Sequence, residues 1–380
     1  MMKRVWILGA GASISHAQGK FPGIDSFFAY AKNFKITMGS QRTVRDEYAR
    51  LASYVEAVFG KSITRINDRI DVEQLLTFLE IDIQNYDNAE TKALHRRVLK
   101  LILDVMTRAQ NVLGAGAQEY DSFVEHFLGP DDTIITFNWD TMLDDALERR
   151  QQLRKDTDFD GTNQYTNFLQ EMSATKIGTW SGMAVKPPYA EQLPKVGRYL
   201  KMHGSVDWHY CNDPKCRGYA KVFPMVEVDN PFYCSECHSR TQRLMVPPVL
   251  NKQYQDLPLM RSIWNTAEVE LQEADEIVVW GYSLPPTDFR AARLLRYFPR
   301  EDETIPFQQR KLQRYTLINP SVVSGKDPKT LGRTYIRHML YPVRQRVDKE
   351  NVELYEYFKD FVAGATVQQK YPTIGNLDYV

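Results

Sequence analysis

No apolar run in this sequence approaches the ~20 residues that a helix needs to cross a bilayer, and none is a candidate membrane anchor. The apolar stretch from Val5 to Leu8 follows two basic residues but is too short for a secretory signal, so a buried strand is expected there. An excess of one charge is lacking too: 48 Lys and Arg residues stand against 48 Asp and Glu residues. Without a basic surplus, direct nucleic-acid binding is not expected. Cysteine is scarce, and all four residues (Cys211, Cys216, Cys234 and Cys237) fall in one short segment. A secreted scaffold scatters its cysteines, so the expected setting is reducing and cytoplasmic. Internal repeats and low-complexity tracts are missing as well.

What is present is a chain of 380 residues, enough for two or three structural units at roughly 150 residues each. Short apolar runs recur, each handing over to glycine or polar residues. Val5–Leu8 ends at Gly9-Ala10-Gly11-Ala12-Ser13, and Thr133–Phe137 ends at Asn138-Trp139-Asp140. Tyr199–Met202 ends at His203-Gly204-Ser205, Glu276–Trp280 at Gly281-Tyr282-Ser283-Leu284, and Tyr315–Ile318 at Asn319-Pro320. Open parallel α/β sheets bind ligands at such carboxyl ends. The expected fold class is α/β: a Rossmann-like parallel sheet with a smaller zinc-ribbon lobe and a helical insertion.

Residues 44–128 carry a different periodicity. Val72, Leu75, Leu76, Leu79 and Ile83 repeat at helical spacing behind a cap at Asp71, and Leu94, Val98, Leu101, Ile102, Val105 and Met106 do so behind Thr91. These stripes suit a helical core. Residues 151–195 are expected in loops, 258–273 in a helix, and 347–363 in a closing helix. The boundaries that follow are a discontinuous core (1–43, 129–210 and 241–330), the insertion at 44–128, a ribbon at 211–240 and a helical segment at 331–380.

Each motif has a bland reading beside the chemical one. The glycines at 9 and 11 can admit a pyrophosphate to free backbone amides, with Ser13 adding a hydroxyl, or can form a plain tight turn. Asn138 and Asp140 alternate along an extended segment and can face one ligand, with Trp139 opposite, or can cap the next helix. His203 can accept a proton near neutral pH with Gly204 admitting substrate, or can be a satisfied structural histidine. Cys211-x4-Cys216 and Cys234-x2-Cys237 form two knuckles of a closed four-thiolate zinc site, structural because no coordination position stays open, or four unligated thiols. His209 and His238 lie close enough in sequence to replace one ligand.

Taken in order, these residues resemble the sirtuin family. Gly9 to Ser13 is similar to its Gly-Ala-Gly-x-Ser turn. Pro22-Gly23-Ile24-Asp25-Ser26-Phe27 is similar to its Gly-Ile-Pro-Asp-Phe segment, and Thr136-Phe137-Asn138-Trp139-Asp140 to its Thr-Gln-Asn-x-Asp strand end. A His-Gly pair before four cysteines, then Gly281-Tyr282-Ser283 and Ile318-Asn319, complete the pattern. The resemblance implies a domain that takes NAD as substrate. Gly9, Gly11 and Ser13 would line the phosphates, Ala10, Ala12 and Asp25 would also belong to the cofactor site, and Gly281, Ser283 and Asn319 would reach the adenosine half. Asn138 and Asp140 would hold the nicotinamide ribose, and His203 would act as general base. Phe137 in place of Gln and the prolines at 247 and 248, which remove donors from a peptide-pairing strand, depart from the peptide-deacylating members. Trp139-Asp140, the Val246-Pro247-Pro248 segment and Gly281-Tyr282-Ser283-Leu284-Pro285 resemble instead the sirtuin-like branch of bacterial antiphage defence, whose members hydrolyse NAD. A homo-oligomer and a partner ATPase or nuclease subunit contacting the insertion are the further expectations. A protein deacylase and a non-catalytic NAD or ADP-ribose scaffold are the alternatives.

Overall fold

The computed structural model describes residues 2–23, 26–33, 42–63, 65, 68–113, 119–129, 132–155, 198–217, 219, 222–224, 233–234, 236–246, 258–285, 288–296, 311–324 and 330–372. Asp25, Pro247 and Pro248, and most of the expected loop region 151–195, lie outside them.

The apolar runs become strands: β1 (Arg4–Leu8), β2 (Thr133–Thr136), β3 (Tyr199–Lys201), β7 (Glu276–Trp280) and β8 (Arg314–Ile318). A further strand, β9 (Val352–Tyr355), completes a six-stranded sheet in the order β3-β2-β1-β7-β8-β9. Every neighbouring pair is parallel. With the strands of the smaller sheet set aside, this is the 3-2-1-4-5-6 arrangement of doubly wound folds, whose order reverses between β1 and β7. The runs are continuously apolar because both faces are covered. Val5, Ile7, Val279 and Leu317 enter one core, and Trp6, Leu8, Trp280 and Ile318 the other.

The expected closing helix at 347–363 is therefore corrected. Only Phe358–Val362 is α-helical there, and the segment's main role is the edge strand. Leu354 is buried while Val352 and Glu353 are half-buried, so the four-residue strand carries too little alternation to stand out between charged neighbours.

The smaller sheet is antiparallel, in the order β5-β4-β6, from β4 (Gly204–Tyr210), β5 (Val222–Pro224) and β6 (Gln242–Met245). It starts where β3 ends. Gly204 has φ +70°, and a Cβ there would lie 2.0 Å from the Leu244 carbonyl oxygen. This glycine serves the close pairing of β4 with β6, rather than the approach of a substrate.

The helices are α1 (Ala10–His16), α2 (Phe27–Asn33), α3 (Arg42–Phe59), α4 (Val72–Tyr86), α5 (Ala89–Leu113), α6 (Glu119–Ser122) and α7 (Met142–Lys155). After the ribbon come α8 (Pro258–Glu273), α9 (Phe289–Leu295), α10 (Arg333–Leu340), α11 (Phe358–Val362) and α12 (Val367–Lys370). Asp71 caps α4 as expected, accepting from the Glu73 and Gln74 amides. Thr91 does not cap α5. The side chain of Asn88 accepts from the Glu90 amide one turn earlier.

Phe27, Phe28 and Ala31 of α2 join the core built by α3, α4 and α5. Tyr120, Phe123 and Val124 instead pack on the sheet with Trp6 and Trp280. The helices from α2 to α5 thus share one core and form a helical lobe. Among the described residues, no helix is long and apolar enough to cross a membrane.

Candidate active site

A cavity of about 370 Å³ opens at the carboxyl ends of the sheet strands, where the order reverses. Ala10 and Gly11 line it after β1, Asn138 and Asp140 after β2, and His203 after β3. Gly281 and Ser283 line it after β7, and Asn319 after β8. The helical lobe closes it: Asp71, Val72 and Glu73 come from the start of α4, Ile102 and Met106 from α5. Among its described lining residues Asp71, Glu73, Asp140 and Asp288 bear carboxyl groups, and no Lys or Arg is present.

The glycine turn is shaped by packing. A Cβ on Gly9 would lie 2.6 Å from Tyr282 Cα, and one on Gly11 2.7 Å from the Gly281 carbonyl oxygen. Gly281 has φ +66°, and its own Cβ would sit 2.1 Å from the Ala12 nitrogen. The turns after β1 and β7 therefore interlock with no room for side chains. The expectation of free amides is corrected at three positions: Gly9 N–H donates to Trp280 O, Gly11 N–H to Gly281 O and Ala12 N–H to Gly9 O. Ser13 is fully buried rather than facing a ligand.

Beneath the turn, Ser13 is the hub of a polar network. Its hydroxyl donates to Asp140 Oδ2 at 2.7 Å, lies 2.9 Å from Tyr120 Oη, and accepts from Asn138 Nδ2 at 3.0 Å. Asn138 Nδ2 also donates to the Gly9 carbonyl at 2.9 Å. A carbonyl only accepts, so the Gly9 oxygen dictates which end of the amide is NH2. Both amide hydrogens are thereby directed at protein, and Oδ1 is the atom of Asn138 left to accept from a ligand or water.

Asp140 combines both readings. Its Oδ1 accepts from the Met142 amide, capping α7, and its Oδ2 holds Ser13. Burial pushes its carboxyl upward, against the opposing pull of Ser13 and of Lys201. Lys201, itself buried, donates to the Asp140 carbonyl at 2.7 Å and to Asp144 Oδ2 at 2.8 Å. Trp139, between Asn138 and Asp140, packs into the helical lobe's core and also borders the cavity. Asn138 and Asp140 thus do share a side, as their alternation implies.

His203 is 3% exposed. Its Nε2 lies 3.0 Å from Asp288 Oδ2, which also accepts from the Tyr282 hydroxyl at 3.2 Å. Burial lifts the Tyr282 and Tyr120 hydroxyls well above their ordinary range, so both remain protonated donors. Phe137 stacks on Tyr282 with ring centroids 4.3 Å apart and 7° between planes, and lies 5.3 Å from the imidazole. The glutamine-to-phenylalanine departure is thus one wall of an aromatic box around His203. Asp288 was not legible in the sequence; its one local signal is an acidic residue in the N-cap position of a short helix, eight residues after a strand end.

Among solved structures, the chain is similar to Sir2 homologues. One in complex with NAD is 14% identical, with 90% of each chain covered and a TM-score of 0.39. One in complex with ADP-ribose is 13% identical, covering 90% of this chain and 92% of that one at a TM-score of 0.35. Sir2Tm bound to a propionylated peptide is 13% identical, covering 95% and 93% at 0.31. Likeness this distant carries no argument about what the chain binds. No family model and no curated protein matches the sequence.

The four cysteines form a separate candidate metal centre. All four Sγ atoms lie within 4.8 Å of one another. Cys211 to Cys237 and Cys216 to Cys234 are each 3.7 Å apart. A zinc ion with four sulfurs at about 2.3 Å has a sulfur–sulfur edge of about 3.8 Å, whereas a disulfide needs about 2.05 Å. The spacing fits the tetrahedral metal. His209 is instead engaged with Thr241 Oγ1 at 3.2 Å.

Proposed function

We propose that this chain hydrolyses NAD at the nicotinamide–ribose bond, releasing nicotinamide and ADP-ribose, in the setting of antiphage defence. The observation that carries the reading is convergence: Asn138 and His203, from two different strand ends, wall one acidic cavity at the point where the strand order reverses. Doubly wound sheets take dinucleotides at that point. The carboxyl-rich wall suits a substrate whose reacting end is a pyridinium and whose sugar becomes oxocarbenium-like.

In the step itself the C1′–N bond breaks and its electron pair returns to the pyridinium nitrogen, so nicotinamide leaves neutral and needs no acid. Water adds to C1′. Asn138 Oδ1 orients that water or a ribose hydroxyl, and His203 takes the proton the water gives up. Asp140 acts at one remove, holding Ser13 and through it the Asn138 amide. Ala10 and Gly11 are the members of the glycine turn that face the phosphate side, and Ser283 and Asn319 face the adenosine half. The four thiolates hold a structural zinc that keeps the ribbon in place.

Purified protein incubated with NAD should release nicotinamide without any acylated peptide. Asn138→Ala and His203→Ala should each abolish that release while keeping the fold and zinc content. A wild-type rate in either variant rejects the assignment. Release only with an acylated peptide present would mark a deacylase, and NAD binding without turnover a scaffold. Silence until a trigger, by change of homo-oligomer or by a partner ATPase or nuclease subunit, is part of the same proposal. The helical lobe is the surface for it, since α4 and α5 touch the cavity. Measuring release across protein concentrations tests the oligomer arm.

A further inference from the structure

The mechanism above leaves Asp288 unused, although it is 1% exposed and in direct contact with the proposed base. At least three donors converge on its carboxylate: His203 Nε2, the Tyr282 hydroxyl, and the Ala291 amide, which reaches Oδ1 at 3.2 Å. A carboxylate is acceptor-only, so the imidazole hydrogen must sit on Nε2. The aromatic box of Phe137, Tyr282 and Trp264 limits ring rotation around that bond, with Trp264 6.2 Å from the imidazole.

We infer that Asp288 is a positioning residue that sets the tautomer of His203, holding the hydrogen on Nε2 and making Nδ1 the nitrogen that receives the proton from water. The inference rests on the reading of His203 as general base. When Nδ1 takes the proton, the imidazolium is met by a buried opposite charge already in contact, so no reorganisation is needed. Nothing in this arrangement requires Asp288 to touch substrate.

Asp288→Asn is a sharp probe because the site dictates how the amide must lie. The Ala291 N–H needs an acceptor on the Oδ1 side, so the new NH2 group is placed against His203 Nε2. Two donors cannot face each other, and the imidazole hydrogen moves to Nδ1, where it blocks the base. Asp288→Ser, whose hydroxyl still caps α9, removes the contact without imposing the wrong tautomer.

The experiment combines steady-state nicotinamide release, ADP-ribose affinity, thermal unfolding and 15N-histidine NMR on full-length wild type, Asp288→Asn, Asp288→Ser, His203→Ala and the Asp288→Asn/His203→Ala double variant. Asp288→Asn is expected to lower kcat by about 10²–10⁴-fold, with KM and ADP-ribose affinity within about twofold. Its His203 resonances should change from the Nε2–H to the Nδ1–H pattern. In the already inactive His203→Ala background the same substitution should leave ADP-ribose affinity and thermal unfolding as they are in the single variant. Wild-type kcat in Asp288→Asn with an inactive His203→Ala overturns the positioning role and leaves the general base standing. A wild-type rate in His203→Ala overturns the reading beneath it. An Nδ1–H pattern in the wild type, or loss of fold in both Asp288 variants, makes the pair structural and also overturns the proposal.

Discussion

Exchanging Asn138 for aspartate changes one NH2 group into an oxygen and leaves the shape almost intact. In the folded chain that NH2 group donates to Gly9 O at 2.9 Å and Ser13 Oγ at 3.0 Å. The substitution sets a carboxylate oxygen against a carbonyl oxygen, across Ser13 from the buried Asp140, with no Lys or Arg among the described residues lining the cavity. Gly9 O keeps its bond from Ala12, so the cost is one amide–carbonyl bond and one bond to Ser13, with a second acidic group brought close to Asp140. At about 1–3 kcal/mol for a buried partner left unmatched, Asn138→Asp should cost roughly 3 kcal/mol at pH 8. For a chain of this length that is a fall in Tm of about 4 °C. Protonating the new carboxyl restores a donor toward Gly9, and burial favours the neutral acid. The deficit relative to wild type should therefore shrink between pH 8 and pH 5. Thermal unfolding of both proteins across that range is the assay. An equal Tm at pH 8, or a deficit that does not change with pH, refutes the hydrogen-bond direction assigned to Asn138.

Gly281→Ala should be among the most damaging single-methyl changes, because its φ is +66° and the methyl would press on the Ala12 nitrogen at 2.1 Å; a stability loss of about 1 kcal/mol or less in denaturant titration would contradict the interlock of the two turns, since the left-handed backbone alone costs about 1–2 kcal/mol. His16, buried against Tyr120, has its imidazole pushed down to about 4 by burial. The unfolded chain, titrating near 6.5, then binds the extra proton first, so this stabilisation is complete above pH 6.5 and is lost as pH falls toward 4, by about 2 kcal/mol on reaching pH 5. His16→Gln should flatten that part of the stability–pH curve, and an unchanged slope would remove the assignment. Cys234→Ser should abolish stoichiometric zinc and loosen the ribbon; full zinc by elemental analysis with one thiolate missing would contradict a four-sulfur site.

The strands were legible because each is a compact apolar run, and a parallel sheet covered on both faces demands that pattern. Cys211, Cys216, Cys234 and Cys237 were legible because ligand spacing is local. Other features were not. The strand Val352–Tyr355 is an edge strand that gains its character from pairing with β8. Thr91 and Asn88 are both competent caps, and only the path into α5 chooses between them. The glycines at 9 and 204 read as space for a ligand, and protein fills that space instead, while Gly11 packs on Gly281 and still lines the cavity.

The sequence alone determined which segments become strands, which polar residues stand at their ends and where a metal can be held, because these depend on periodicity and spacing within a few residues. Tertiary structure decided what those ends face. It placed Asp288 on His203, aimed the Asn138 amide at Gly9 and brought α4 and α5 over the cavity. Such contacts join residues far apart in the chain, and they exist only once strand order and helix packing have set the distances between them.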